Sequence, residues 1–220
     1  MIMKSKNCEK GNIHLVGIPL QKRGAILGHS IKALDKARKL LKYEKRVDIV
    51  VIEAQDFFVI PKLGIGGSAI GKSCIEVKID FSRKDLRKIV EVELPSTIYH
   101  ELAHLVREDS IGYGKTLLDS FVSEGISCFV EKSILPNRKI PYIQKIKDEK
   151  KLWNKAQKIL DKTKYNHSEW FFGSGKLPNW TGYRLGYLIV ESYANKTKIS
   201  LDKLTRTSSK NILKGSKFYE

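Results

Sequence analysis

Apolar residues recur at helical spacing through Leu94, Ile98, Leu102, Leu105 and Val106, while Thr97, His100, Glu101, His104, Arg107 and Glu108 fill the opposite side. The pattern predicts an amphipathic helix from Leu94 to Asp109. Pro95 falls in its first turn, where a missing N–H costs nothing, and Gly112 and Gly114 end it. A second helix is predicted over 115–135. Its apolar positions, Leu117, Leu118, Phe121, Val122, Ile126, Phe129 and Val130, run most of the way round, so it should be largely buried.

The rest of the chain reads more weakly. Residues 1–11 look like a loose start. Asn12 to Leu20 has strand composition, and Asp48 to Glu53 is a buried strand by its Val/Ile run. Ser30 to Glu44 carries a helical stripe of Ile31, Leu34, Ala37, Leu40 and Leu41. The glycine-rich 57–71 stretch lacks the lysine pattern of a phosphate loop and reads as a flexible loop. Ser73 to Phe81 alternates as a half-buried strand, and Ser82 is expected to cap a helix over 82–92. A proline-marked linker over 135–142 precedes a lysine-rich helix over 143–163. A dense run of aromatics and glycines leads into a helix from Thr181, a plausible N-cap, to about Lys196; 197–220 forms a short helix and basic tail. This order implies an α+β fold, a small mixed sheet packed on the 94–109 helix followed by a mostly helical part. At 220 residues the chain is expected to be one domain, sheet-containing over 1–93 and helical over 94–220.

Composition changes this picture only in places. A hydrophobic share of 41% fits a globular chain. No apolar run approaches bilayer length and no secretory pattern follows the basic start, so a cytoplasmic protein is expected. Cys8, Cys74 and Cys128 are scattered, which argues against a disulfide framework and a Cys-based zinc site. Cys128, one turn from Glu124, reads as a small core residue. The net charge of +17 comes from lysines spread along the chain, which favours solvated faces and weak polyanion attraction over a dedicated nucleic-acid site.

The chemistry lies in His100-Glu101-Leu102-Ala103-His104. Imidazoles four apart on a helix point the same way and can share one zinc ion. Glu101 lies about 100° round the helix from His100, within reach of a metal-bound water, as a general base requires. A catalytic zinc takes three protein ligands and an open position. Glu124, in a helix otherwise nearly all apolar, is costly to desolvate unless paired or metal-bound, and is the candidate third ligand. Arg107 is expected in an ion pair, to Asp119 or Glu131, with a substrate carboxylate as the alternative partner, and Asp119 is also a candidate to orient an imidazole. His14 is expected to face solvent or a polar partner.

His100 through Arg107, followed by Ser123-Glu124-Gly125, resembles the gluzincin pattern. More narrowly, it is similar to a bacterial family of predicted zinc-dependent proteases, a domain of unknown function that pairs HExxH-x-x-R with a downstream E-G. The family's closing signature corresponds here to Phe171 or Phe172, Gly173, Pro178, Trp180, Gly182, Tyr183, Gly186 and Tyr187, and the resemblance covers roughly residues 60–215. It implies a zincin-like fold in which the strand before the histidine helix, Ser73 to Phe81, is the sheet edge, and it supports zinc binding better than any named substrate.

The expected reaction is peptide-bond hydrolysis with Zn²⁺ on His100, His104 and Glu124 and with Glu101 as base. Tyr183 is the first candidate to stabilise the oxyanion, then Tyr187, then His167, against the alternative that both tyrosines are core aromatics. No other cofactor site is expected. The partner would be a peptide or protein, with no membrane. A non-catalytic zinc-binding adaptor and a basic nucleic-acid binder are the rival readings. Substrate specificity and oligomeric state are not encoded legibly.

Overall fold

A computed structural model describes residues 11–54 and 59–219. The expected loose start, Cys8 and the first residues of the 57–71 stretch lie outside them. The protein is α+β, and it divides into two compact units, 1–109 and 110–220.

The first unit runs β1 (Ile13–Val16), α1 (Leu20–Leu41), β2 (Asp48–Glu53), β3 (Ile65–Ile70), β4 (Cys74–Ile79), α2 (Leu86–Lys88), a π-turn (Ile89–Glu93) and α3 (Leu94–Ser110). The sheet order is β1-β2-β4-β3, with β3 antiparallel and the others parallel. Ile49, Val51, Ile75, Val77 and Ile79 point to one face and are fully buried. Glu76 and Lys78 point to the other and pair at 2.7 Å. This period-two split gives the sheet one packed face and one polar face.

Several sequence expectations change here. Helix α1 begins at Leu20, ten residues before Ser30, just after Pro19, whose φ of −57° suits a helix start. It ends at Lys42, which adopts a left-handed conformation with φ 47°. The glycine-rich stretch expected to be a loop contains β3, and β3 rather than β4 is the edge strand. Gly71, at φ +60°, makes the turn into β4 that a side chain would strain. Ser82 caps no helix; its amide and hydroxyl both donate to Asp80. Helix begins only at Leu86 and passes through the π-turn into α3. A π-turn is a local underwinding often found beside functional residues.

The second unit holds α4 (Leu117–Ile134), a 3₁₀ turn (Pro141–Ile143), α5 (Glu149–Gln157), α6 (His167–Phe172), α7 (Thr181–Thr197), α8 (Leu201–Thr205) and α9 (Ser209–Gly215). A capping box starts α4. Asp119 N–H donates to the Thr116 hydroxyl at 3.1 Å, and the Asp119 carboxylate accepts from the Thr116 amide at 3.0 Å. The 143–163 helix is shorter than expected, because Asp148 is left-handed at φ 59° and α5 starts only after it. Thr181 is not the N-cap of α7. Trp180 takes that place with φ 64°, and the Thr181 hydroxyl donates to Pro178 O at 2.7 Å. Helix α6 was not expected as a separate element. No helix among the described residues is long and apolar enough to cross a membrane.

Candidate metal centre

Helix α3 sets the first half of the site. Leu94, Ile98, Leu102, Leu105 and Val106 are at most 1% exposed, as the periodicity demands. The polar side of the helix is buried as well: His100 is 8% exposed, Glu101 7%, His104 3% and Arg107 2%. Burying that many ionisable groups on one stretch is costly unless each has a partner or a ligand.

The two imidazoles converge. Their Nε2 atoms lie 3.1 Å apart, and the rings meet edge to face with centroids at 4.8 Å. Two nitrogens bound at about 2.0–2.1 Å to one tetrahedral zinc would stand about 3.3 Å apart. The pair therefore fits a shared ion with only a small adjustment. A metal takes each imidazole in its neutral form, through one ring nitrogen.

Glu101 lies where the sheet edge meets α3. A Cβ built on Gly67 of β3 would come within 2.5 Å of Thr97 Cγ2 and 2.8 Å of Glu101 Oε1. Only glycine lets the strand backbone come this near the carboxylate. The register also fixes what the strand presents. Asp80 N donates to Gly64 O, and the alternation that follows turns the amides of Gly66, Ser68 and Ile70 toward β4. Gly67 and Ala69 consequently turn theirs to the outer edge. The sequence reading missed this. Its only signal was the Gly66-Gly67 pair lying between two apolar runs.

The second unit holds Glu124. It lies on α4 beside Gly125, and Gly125 is where α7 crosses. A Cβ on Gly125 would stand 2.3 Å from the Gly186 carbonyl, and one on Gly186 would stand 1.9 Å from Phe121 O. Two glycines thus allow backbone-to-backbone contact next to the carboxylate. Gly182 does the same against the Phe171 ring, at 2.5 Å. One turn before Glu124, the Ser120 and Tyr165 hydroxyls are hydrogen-bonded at 2.5 Å. Two turns after it, Glu131 is fully buried and accepts from Tyr142 Oη at 2.6 Å and Arg138 Nη1 at 2.9 Å. The signal for Glu131 was the same as for Glu124, a carboxylate in an apolar helix.

The expected oxyanion donors separate on inspection. Tyr187 donates to Glu191 at 2.7 Å, and burial together with that carboxylate pushes its phenol well above the usual range. Tyr183 is half-buried, with its ring 5.3 Å from Tyr142 and 5.4 Å from Phe171. His167 stacks on Phe171 at 4.4 Å. Desolvation lowers its pKa, while the Glu124 charge pulls the other way. Among the remaining candidates, His14 lies 3.8 Å from Asp48 on the polar face of the sheet. Asp119 is committed to the α4 cap. Cys128 is buried, as expected of a core residue.

A family model described as predicted Zn-dependent protease matches residues 29–214. The chain belongs to that family. No curated protein shows significant similarity to it. The family's description names zinc, and the paired Nε2 atoms of α3 are the feature of this chain that suits such an ion. The matched span takes in α3, α4 and α7, and so the histidines, Glu124 and the crossing glycines.

Proposed function

We propose that the protein is a zinc metallopeptidase in which His100, His104 and Glu124 hold the ion and Glu101 is the general base. The observation that carries this reading is the convergence of the two Nε2 atoms on a helix whose Glu101 carboxylate lies against Gly67 of the edge strand β3. Family membership and the half-buried Glu124 in an otherwise apolar helix support it.

Bound by these residues, zinc would supply Lewis acidity and make water acidic enough to react near neutral pH. Glu101 would take the proton of the attacking water and return it to the departing amine. Its low exposure keeps bulk solvent from competing for the proton. An extended peptide would pair with the Gly67 and Ala69 backbone along β3, a β-augmentation that brings a scissile carbonyl near Glu101. Tyr183 and His167, which both pack on Phe171, are the donors for the developing oxyanion. His167 is the more exposed of the two and feels the Glu124 charge, so a comparison of Tyr183→Phe with His167→Ala ranks them by their loss of kcat.

The decisive substitution is Glu101→Gln. Hydrolysis of an unfolded protein should disappear while bound zinc stays at wild-type level. If E101Q loses nothing, or if the wild type hydrolyses no peptide bond with zinc loaded, the adaptor reading replaces the enzyme.

A further inference from the structure

The charge of the chain is unevenly divided. Residues 110–220 hold 21 Lys and Arg against ten Asp and Glu. Four of those acids are engaged by named partners within the unit. Asp119 closes the α4 cap, Glu131 binds Arg138 and Tyr142, Glu149 binds Arg184 at 2.7 Å, and Glu191 accepts from Tyr187. What remains at the surface is strongly positive, and its densest part is α5.

That helix is sharply two-sided. Leu152, Trp153 and Ala156 are buried, and Trp153 packs on Phe218 with ring centroids at 5.1 Å. Lys150, Lys151, Lys155 and Lys158 are all exposed. Lys151, Lys155 and Lys158 follow an i, i+4, i+7 spacing and so form one stripe opposite the apolar side. Lys155 also reaches toward Glu169 at 3.9 Å and over Trp170 at 5.8 Å. Asp148 and Asp161 are the exposed acids that flank the stripe.

We propose that this face of α5 is an exosite for extended acidic polypeptide. The substrate class so named rests on the peptidase reading. Four residues of helix advance about 6 Å. Two residues of extended chain advance about 6.6 Å, and alternate side chains point the same way. Successive carboxylates on one side of an acidic strand therefore meet successive lysines. Other anions fit less well. Duplex nucleic acid carries a charge every 1.7 Å or so of its axis, denser than this stripe can match. Single strands need exposed aromatic platforms, whereas the one aromatic of α5 is turned inward. A bilayer needs apolar groups on the contact face, and here the neighbours of the lysines are Asn154 and Gln157.

The test uses the full-length zinc-loaded chain carrying E101Q, so that bound peptide is not consumed. Fluorescence anisotropy measures affinity for an unstructured Glu-rich peptide, its Gln-rich counterpart, a single-stranded RNA and phosphatidylserine vesicles. The Glu-rich peptide should bind at least roughly tenfold more tightly than the Gln-rich one, with affinity falling as salt rises. Lys151→Glu, Lys155→Glu and Lys158→Glu together should abolish that preference, and the three Gln substitutions should reduce it. In the catalytic background, the same lysine variants should leave turnover of a neutral peptide unchanged. The proposal is overturned if the charge-reversed chain keeps its preference, or if RNA or vesicles bind more tightly than the acidic peptide at matched salt. Because the anisotropy arm needs no turnover, a chain that hydrolyses nothing but still selects the acidic peptide overturns the peptidase reading and leaves the exosite standing.

Discussion

Each of the two units uses glycine to bring a backbone next to a candidate site carboxylate, but the two contacts differ in kind. In the first unit, Gly67 faces the end of the Glu101 side chain and the Thr97 methyl. In the second, Gly125 and Gly186 face each other's helix backbone, one residue from Glu124. A side chain can swing aside, whereas a helix backbone moves only with the whole helix. An added methyl group at Gly67 should therefore disturb chemistry, and one at Gly186 should disturb the fold.

The largest expected effect bypasses glycine altogether. Glu101→Gln removes the base, and peptide turnover should fall by about 10²–10⁴ with zinc content unchanged. Next comes Gly186→Ala. Its methyl would meet Phe121 O at 1.9 Å, so α7 must lift from α4, and stability should drop by about 1–3 kcal/mol or more in urea titration. Gly67→Ala is the informative counterpart. It should cost less than about 1 kcal/mol, because the neighbours are side-chain atoms, yet lower kcat by roughly tenfold as Glu101 is displaced. If the stability losses of the two variants matched, the contrast drawn here would fail.

The smallest effect concerns the α4 cap. Thr116→Ala should cost about 1 kcal/mol. Burial alone would raise the Asp119 pKa, but hydrogen bonds from the Thr116 hydroxyl and amide, the Ser209 hydroxyl and the Lys115 amide hold it below its ordinary value. Its stabilising contribution is then complete above the unfolded value near 3.8 and is lost as pH falls through the lower folded value. The difference in unfolding free energy between wild type and Asp119→Asn should shrink on acidification below pH 4 or so.

Helices α3 and α4 were legible because they are long, strongly periodic and bounded by glycines and a cap. The start of α1 was not. Residues 20–29 include Gly24 and Gly28, which weaken a helical reading, yet a Cβ at either would meet nothing within 4 Å. These glycines lie on the outer side and cost only intrinsic propensity. Strand β3 was hidden by Ile65-Gly66-Gly67-Ser68, a sequence that resembles a loop until one sees that Gly67 abuts α3. The breaks at Asp148 and Trp180 depend on left-handed conformations that non-glycine residues seldom announce.

The candidate site divides in the same way. HExxH marks its own helix, and the spacing alone predicted converging imidazoles. The crossing of α4 and α7 could not be read, since the sequence shows two glycines and not which backbone each one admits. Tyr187 donates to Glu191, one turn on, a partner that helical spacing allows but does not single out.

The most direct test of the account is the zinc content of purified chains, measured by elemental analysis across one series of variants. One zinc per chain is expected in the wild type and in E101Q, with loss of most of it in His100→Ala, His104→Ala and Glu124→Ala that remain folded by circular dichroism. A folded Glu124→Ala chain that retains a full equivalent of zinc with wild-type affinity would contradict the three-ligand centre on which the proposed hydrolysis depends.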